Sequence, residues 1–175
     1  MSSICGIIDP SSFFVRGDID FSSLRRMWCS FAPLSRGYTY IKSGIALCCD
    51  FAAGTHASLP CPSNSKKNCS VMLCGSHPSP FFASDILESY FLFGVESLCK
   101  IKDSFSFVFF DESEMLLILS CADVPFFCSK VGEKIIFSTE RKAVDAYFKG
   151  SAYLPMQSVE LPQNGFALFC DIRGG

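Results

Sequence analysis

The sequence predicts an α+β fold, built mainly from antiparallel strands, in a single domain covering residues 1–175. Two features of the residue pattern support this class: eight short runs with strand character and three segments with a helical pattern. The length of 175 residues suits one domain, since domains typically have about 100–200 residues. We find no internal repeat and no linker that would divide the chain.

Short apolar runs, bounded by turn-forming residues, predict the strands. They are Ile4–Ile8, Gly44–Cys49, Ser70–Cys74, Ser104–Phe110, Leu116–Cys121, Phe126–Ser129, Lys134–Ser138 and Gly165–Cys170. The acidic segment 111–114 separates two of these runs and predicts a hairpin with a four-residue loop. The segment 130–133 separates the next two runs in the same way, so we expect a β-meander in the second half of the chain.

Helical patterns occur in three places. The first covers residues 21–29, and the third runs from Thr139 or Glu140 through Tyr147. The second has Ser84 as a good N-cap and Gly94 as its stop. The apolar faces of the three helices consist of Leu24, Met27 and Trp28, then Ile86, Leu87, Tyr90 and Phe91, and finally Ala143, Val144 and Tyr147.

Composition narrows the class of protein. The net charge is −2 and 18% of the residues are charged, which argues against a nucleic-acid partner. The first residues lack the pattern of a signal peptide, and no apolar stretch reaches the roughly 18 residues that span a bilayer. The 11 cysteines are odd in number, so they cannot all be paired. We expect a reduced, cytoplasmic protein that does not enter membranes.

The stretch over residues 54–69 is rich in Ser, Pro, Asn and Lys and predicts a long exposed loop. Its histidine and cysteines, with those that follow, lack the closely spaced Cys pairs of structural zinc sites. The residues concerned are His56, Cys61, Cys69, Cys74 and His77. We therefore expect no metal and no cofactor, and we interpret most thiols as core residues.

Seven short motifs follow one another in a fixed order along the chain. They occupy residues 4–9 (Ile-Cys-Gly-Ile-Ile-Asp), 34–37 (Leu-Ser-Arg-Gly), 74–76 (Cys-Gly-Ser), 84–94 (beginning Ser-Asp-Ile-Leu), 104–111, 121–127 and 137–144. Together they resemble the class II glutamine amidotransferase domains, especially those of the asparagine-synthetase type, which begin with Cys-Gly-Ile and a strand. Each motif is weak alone, but seven in register are hard to obtain by chance.

The resemblance implies a four-layer αββα sandwich of two mainly antiparallel sheets, the N-terminal-nucleophile hydrolase type. It also implies a reaction in which an N-terminal Cys thiolate, here of Cys5, attacks the side-chain amide of glutamine. Its own α-amino group carries the proton, ammonia leaves, and water releases glutamate. Because an α-amine titrates near about 7.7–8.0 and a thiol near about 8.5, one can serve as base for the other.

The resemblance also assigns positions in the substrate site. Gly75 supplies a backbone N–H to the oxyanion hole, and Ser76 follows it in that motif. Asp85 holds the α-amine of glutamine, and Arg36 belongs to the family's His-Arg-Gly turn. Cys74 stands where the family has the oxyanion Asn, and a thiol is a weak donor.

Three further departures affect catalysis. Residues 1–4 precede Cys5, so its nitrogen is an amide that cannot act as a base unless this leader is removed. No Arg lies in residues 46–51, where the family keeps the cation that clamps the α-carboxylate. The His expected before Arg36 is Ser35. Loss of a single oxyanion donor costs about 10²–10³ in rate.

Two functions from different classes follow. The leading hypothesis is a glutaminase domain that supplies ammonia to a synthetase (ATP-pyrophosphatase) partner or missing domain, with the activity retained or lost. The alternative is a non-catalytic structural or regulatory subunit that keeps the fold and binds such a partner. A third hypothesis is hydrolysis of another amide, since loss of the Arg clamp suits a substrate without an α-carboxylate. Assembly with further copies of the chain is left open.

Overall fold

The structure is a computed structural model that describes residues 3–9, 21–31, 37–42, 44–50, 69–75, 80–101, 105–122, 124–149 and 158–169. In chain order these ranges contain β1 (Ile4–Ile8), α1 (Phe21–Phe31), β2 (Gly37–Lys42), β3 (Ile45–Asp50), β4 (Cys69–Gly75), α2 (Pro80–Phe93), α3 (Val95–Leu98), β5 (Phe105–Asp111), β6 (Leu116–Ser120), β7 (Phe127–Val131), β8 (Lys134–Ser138), α4 (Arg141–Phe148), β9 (Val159–Glu160) and β10 (Phe166–Phe169).

The chain divides into two compact units, each built on one antiparallel sheet. The first unit comprises residues 2–52 and 126–160, and the second unit comprises residues 53–125 and 161–174. The predicted α+β class with two antiparallel sheets is therefore confirmed. One domain over residues 1–175 stays a prediction.

The sheet of the first unit has six strands in the order β2-β3-β1-β8-β7-β9. All neighbouring strands run antiparallel, and β1 lies in the middle between β3 and β8. Helices α1 and α4 pack on each other and on this sheet. The buried residues that join the helices to the sheet are Cys5, Ile7, Leu24, Met27, Ala46, Cys48, Val131, Ile136, Ala143, Val144, Tyr147 and Phe148.

The middle strand needs a glycine at position 6. Cys5 and Ile7 belong to the cluster with the helices, so Gly6 points to the other face of β1, because successive side chains of a strand alternate. A Cβ at Gly6 would lie 2.5 Å from Leu47 Cδ2 and closer still to the ring of Phe137. Packing alone thus explains the Gly of the Cys-Gly-Ile motif.

The sheet of the second unit has four strands in the order β10-β6-β5-β4, again antiparallel throughout. Helix α2 packs on it through Ile86, Leu87 and Tyr90, which lie in one buried cluster with apolar residues of β4, β5 and β6. The Tyr90 ring lies 4.6 Å from that of Phe109, centroid to centroid. Its Oη donates a hydrogen bond to Asp111 Oδ2 at 2.7 Å, which ties the helix to the end of β5.

The two hairpins predicted from the sequence exist, but their loops differ from the prediction. The first loop covers residues 112–115 rather than 111–114, because Asp111 still pairs with Leu116 in the sheet. The buried Asp111 carboxylate accepts hydrogen bonds from the N–H groups of Ser113 and Glu114 and from Tyr90. An acidic residue at this position therefore closes the strand instead of beginning the loop.

The second hairpin has a loop of only two residues, Gly132 and Glu133, because Val131 pairs directly with Lys134. Gly132 has a φ of +58°, the left-handed conformation that a two-residue loop requires at its first position. The predicted β-meander is wrong. β5 and β6 belong to the sheet of the second unit, whereas β7 and β8 belong to that of the first.

Helix α2 begins at Pro80, so the prediction of Ser84 as its N-cap is wrong. Pro is well suited to the first turn of a helix, since its missing N–H has no acceptor there. Gly94, with a φ of +73°, follows the last residue of α2 as predicted. The expected inward positions Ile86, Leu87 and Tyr90 are buried, whereas Phe91 is exposed, contrary to the prediction.

The other two predicted helices are confirmed as α1 and α4, with bounds that differ from the prediction by at most two residues. Their apolar faces are buried at Leu24, Met27, Ala143, Val144 and Tyr147, and Trp28 packs against the same cluster. All eight predicted strands are present, with ends shifted by at most two residues. The sequence pattern missed the edge strands β2 and β9.

Most of the predicted long loop, residues 54–68, lies outside the described residues. Its last residue, Cys69, was predicted to be exposed, but it is buried as the first residue of β4. Among the helices that the structure describes, none is long and apolar enough to cross a membrane.

Candidate active-site residues

Cys5 lies in the interior of the first unit. It is the second residue of β1, opposite Cys48 of β3 on one side and Ser138 of β8 on the other. Its side chain belongs to the cluster that packs the sheet against α1 and α4, and none of it is exposed. The predicted nucleophile is therefore an interior residue, and its side chain packs among apolar neighbours.

Burial raises the pKa of the Cys5 thiol well above its usual value, because the apolar surroundings disfavour the charged thiolate. A hydrogen bond with the thiol of Cys48 and the proximity of Cys48 and Cys49 raise it further, and a backbone hydrogen bond at Cys48 opposes the shift. A reactive cysteine instead needs a cation, a helix N-terminus or solvent access to favour the thiolate.

The two described residues before Cys5 are held in place, Ile4 as the first residue of β1 and Ser3 just ahead of it. Ile4 is fully buried and pairs with Cys49, and its N–H donates to Thr139 Oγ1 at 3.0 Å. Ser3 Oγ donates to Glu140 Oε1 at 2.9 Å. The described part of the predicted leader is thus held by both side-chain burial and hydrogen bonds.

The carbonyl of Ile4 has several donors around it. Ser138 Oγ and the N–H of Thr139 each donate to it at 2.9 Å, and Thr139 Oγ1 lies at 3.4 Å. Ser138 and Thr139 are buried, so these hydrogen bonds are shielded from water. Sequence reasoning did not single out the two hydroxyl residues, although they stand in one of the motifs that carry the family resemblance.

The predicted oxyanion residues stand at the end of β4 in the second unit. Cys74 is fully buried, and its Sγ donates to the carbonyl of Ser106 on β5 at 3.4 Å. Gly75 has a φ of 150°, a conformation that residues with a side chain rarely adopt. Position 75 therefore favours Gly for its backbone, whatever the role of its N–H.

Ser106 organises the segment that follows β6. Its buried Oγ accepts hydrogen bonds from the N–H groups of Ala122 and Val124, at 2.9 and 3.0 Å, and donates to the Val124 carbonyl at 2.7 Å. Sequence reasoning included Ser106 in a strand motif but gave it no role. A serine within the otherwise apolar run 105–110 of a buried strand is the signal that could have indicated one.

The remaining predicted site residues divide into described and undescribed ones. Asp85 lies on α2 with its side chain exposed, on the opposite side from the buried positions of that helix. Arg36 and Ser76 lie outside the described residues. Within β3, the predicted place of the missing Arg clamp, Cys48 and Cys49 are both buried.

The structure brings only some of these residues together. Cys5 belongs to the first unit, whereas Cys74, Gly75 and Asp85 belong to the second, where Cys74 and Gly75 are neighbours in one strand. A joint catalytic site stays a prediction. Of the residues examined for zinc, Cys69 and Cys74 lie in β4, and in the described ranges no three His, Cys, Asp or Glu side chains group to hold a metal ion.

Comparison with known proteins adds evidence at the level of fold. No family model matches the sequence. No curated protein matches it either. Among solved structures, the chain is similar to the glutamine phosphoribosylpyrophosphate amidotransferase of B. subtilis, solved with ADP and GMP, with a TM-score of 0.52 and 12% identity. The match covers 99% of this chain and 50% of the other, so the chain spans about half the length of that enzyme.

The matched enzyme is a class II glutamine amidotransferase, and its fold is of the N-terminal-nucleophile hydrolase type. At 12% identity the likeness shows the fold alone. The predicted fold class, α+β with two antiparallel sheets, is confirmed and agrees with the fold of that enzyme. The closer kinship with asparagine synthetases stays a prediction.

Proposed function

We propose that this chain is an amidotransferase-like domain of the asparagine-synthetase type that does not hydrolyse glutamine and serves as a non-catalytic subunit of a synthetase-type partner. The observation that carries the proposal is the fully buried Cys5 thiol in the apolar core between the sheet and helices of the first unit. A nucleophile must reach its substrate as a thiolate, and this environment disfavours both the access and the charge.

The backbone before Cys5 supports the same conclusion. Cys5 can use its own α-amino group as a base only after residues 1–4 are removed. The side chain of Ile4 is completely buried, and a residue of this type contributes about 1.5–3 kcal/mol when fully buried. Removal of the leader would also abolish the hydrogen bonds that Ser3 and Ile4 make with residues 138–140.

The groups expected to bind glutamine support it as well. The Cys74 thiol donates to a backbone carbonyl of its own unit, so it is not directed to a substrate oxyanion in this conformation. β3 contains no Arg that could hold an α-carboxylate. Asp85, the position that the resemblance assigns to the substrate amine, is an exposed residue on the outer side of α2.

The partner is proposed from the family resemblance. The solved amidotransferase is about twice as long as this chain, and its other half has no counterpart among these 175 residues. A synthetase (ATP-pyrophosphatase) activity, supplied by a separate subunit or by a further domain, would give the amidotransferase fold a binding role. Glutamine is the expected ligand only if the activity is retained.

A second candidate function is a glutaminase formed by processing, and one observation favours it. The carbonyl of Ile4 belongs to the peptide bond that must be hydrolysed to free the Cys5 amine. Donors from Ser138 and Thr139 surround that carbonyl, which is the kind of environment that stabilises negative charge on oxygen. Hydrolysis by water would release residues 1–4 with a carboxylate end and leave Cys5 with a free amine.

Intact mass and glutamate release separate the two candidates. We expect the purified protein to keep residues 2–4 and to release glutamate from glutamine no faster than Cys5→Ala. Cys49→Ala, which removes a buried thiol at another position of the same sheet, is the matched control. Loss of residues 1–4 together with glutamate release that Cys5→Ala abolishes and Cys49→Ala retains would overturn the proposal in favour of the glutaminase.

A further inference from the structure

The strand β10 forms one edge of the sheet in the second unit. Its neighbour is β6, and no other strand in the described ranges pairs with it. The opposite edge, β4, is buried at all seven residues. β10 instead exposes 48% of Phe166 and 41% of Leu168. The two edges of the same sheet therefore differ sharply in their exposure.

The backbone of β10 directs two residues away from the sheet. The N–H of Cys121, the residue after β6, donates to the carbonyl of Gly165 at 2.9 Å, so this carbonyl points toward β6, while the N–H of Gly165 donates to the carbonyl of Pro162. In an antiparallel ladder these directions alternate along a strand. The N–H and C=O groups of Phe166 and Leu168 consequently point outward, on either side of Ala167.

Two of the features that normally prevent strand pairing, charged residues and prolines, are missing from the sequence at this edge. Proteins protect exposed edges with charged residues, prolines, bulges or covering segments. Residues 163–170 (Gln-Asn-Gly-Phe-Ala-Leu-Phe-Cys) contain neither a charge nor a proline. Self-association of this segment would therefore bring no like charges together. The exposed edge of the other sheet, β9, has Glu160 as one of its two residues.

We propose that β10 pairs antiparallel with β10 of a second copy of this chain, with a two-fold axis through Ala167. A two-fold axis perpendicular to the sheet creates two equivalent pairs. In each pair, Phe166 of one copy lies opposite Leu168 of the other. These are the residues whose N–H and C=O groups point outward, so they form the hydrogen-bonded pairs of the new ladder. The two small Ala167 residues meet at the axis, where the backbones approach closest.

The side chains agree with the same register. Directly opposite residues lie on the same face of a sheet, so Phe166 and Leu168 form two aromatic–aliphatic cross-strand pairs. Each pair covers apolar surface that the single copy exposes. The two four-stranded sheets become one continuous sheet of eight strands. This inference does not depend on the proposed function, since it uses no residue of the predicted active site.

Light scattering on the full chain tests the inference over a concentration series. We expect the wild type to approach twice the 19.3 kDa mass of the chain and Leu168→Lys to remain at the mass of one chain. Leu92→Lys is the matched control, because Leu92 is an exposed leucine of α2 in the same unit, 65% exposed. We expect Leu92→Lys to associate like the wild type.

Hydrogen exchange of the backbone amides identifies the strand itself. In the wild type, exchange at Phe166 and Leu168 should slow as the protein concentration rises, whereas in Leu168→Lys it should be independent of concentration. A wild type that stays at the mass of one chain would overturn the inference. So would a dimer that Leu168→Lys leaves intact, or protected Phe166 and Leu168 amides in a single chain, which would mean that a segment of the same chain covers β10.

Discussion

The two units each contain a buried thiol at a position where the resemblance places a catalytic group, and they bury it in different ways. In the first unit, Cys5 lies in an apolar core with Cys48 as its polar neighbour. In the second unit, Cys74 donates to a backbone carbonyl across the strand pair. Both thiols therefore serve the interior of their own unit. Packing alone can therefore require residues that also form part of a family motif.

The buried hydroxyls extend this comparison. Ser138 and Thr139 hold the backbone ahead of Cys5 in the first unit, and Ser106 holds the segment after β6 in the second. Ser106 makes three hydrogen bonds to one loop, so we expect the second unit to be more sensitive to the loss of a single hydroxyl.

The largest expected effect is that of Ser106→Ala. It removes one acceptor of two N–H groups and one donor to a carbonyl, and each buried polar group left without a partner costs about 1–3 kcal/mol. We expect the free energy of unfolding to fall by about 2–4 kcal/mol, measured by urea denaturation. The control is Ser129→Ala, because the buried Oγ of Ser129 makes no hydrogen bond with any residue that the structure describes. If both variants lose equal stability, the role assigned to Ser106 is wrong.

Gly6→Ala should have the next largest effect. The added Cβ overlaps Leu47 and Phe137 at the middle of the first sheet, and overpacking of this kind costs about 1–3 kcal/mol. Urea denaturation measures the loss. Leu47→Ala removes one of the overlapping side chains. In that background, Gly6→Ala should lower the free energy of unfolding by less than it does in the wild type. Unchanged stability of Gly6→Ala alone would contradict the packing explanation of the Cys-Gly-Ile motif.

The Cys5 thiol should make stability depend on pH on the alkaline side. Its pKa is raised in the folded state, so above about pH 8.5 the unfolded chain loses this proton while the folded chain keeps it. The stabilisation of the folded state by the Cys5 thiol is complete below about pH 8.5. It is lost as the pH rises toward the pKa of the thiol in the folded state, by at most about 1.4 kcal/mol per pH unit. Urea denaturation at pH 7.5, 8.5 and 9.5 should show a shallower alkaline decline for Cys5→Ala than for the wild type.

Cys29→Ala is the control for this measurement, since Cys29 is exposed on α1. Its stability should decline with pH as steeply as that of the wild type. Equal slopes for the wild type and Cys5→Ala would show that the Cys5 thiol titrates at the same pH in the folded and unfolded chains, contrary to the account.

Ser138→Ala should have the smallest effect, because the Ile4 carbonyl keeps the N–H of Thr139 as a donor. We expect a loss of about 1 kcal/mol in the free energy of unfolding. Intact mass should be the same as for the wild type. A wild type that loses residues 1–4 while Ser138→Ala retains them would assign the hydroxyl to processing rather than to stability.

Local sequence patterns predicted most of the helices and strands, because a buried strand has a continuous apolar run in its sequence. They missed β2, whose sequence Gly-Tyr-Thr-Tyr-Ile-Lys mixes polar and aromatic residues at an edge. They also assigned two hairpins to one meander, since a local pattern does not specify which sheet a hairpin joins. The loop at Asp111 was misplaced by one residue because the partners of its carboxylate include Tyr90, 21 residues away.

The candidate site was predictable in its residue types but not in its surroundings. The sequence identified Cys5 as a position of interest within a predicted strand. Which face meets α1 and α4 depends on packing between elements far apart in sequence. The hydrogen bonds of Ile4 to residues 138 and 139 span more than 130 positions, so no local pattern indicates them.

Alkylation of the native protein by iodoacetamide at neutral pH, with each cysteine followed by peptide mass spectrometry, shows whether the Cys5 thiol is buried in the core. We expect Cys29, which is exposed, to be modified while Cys5 stays unmodified until the protein is unfolded. Modification of Cys5 as fast as that of Cys29, or faster, would mean an accessible and activated thiolate, and would contradict the assignment of Cys5 to the core.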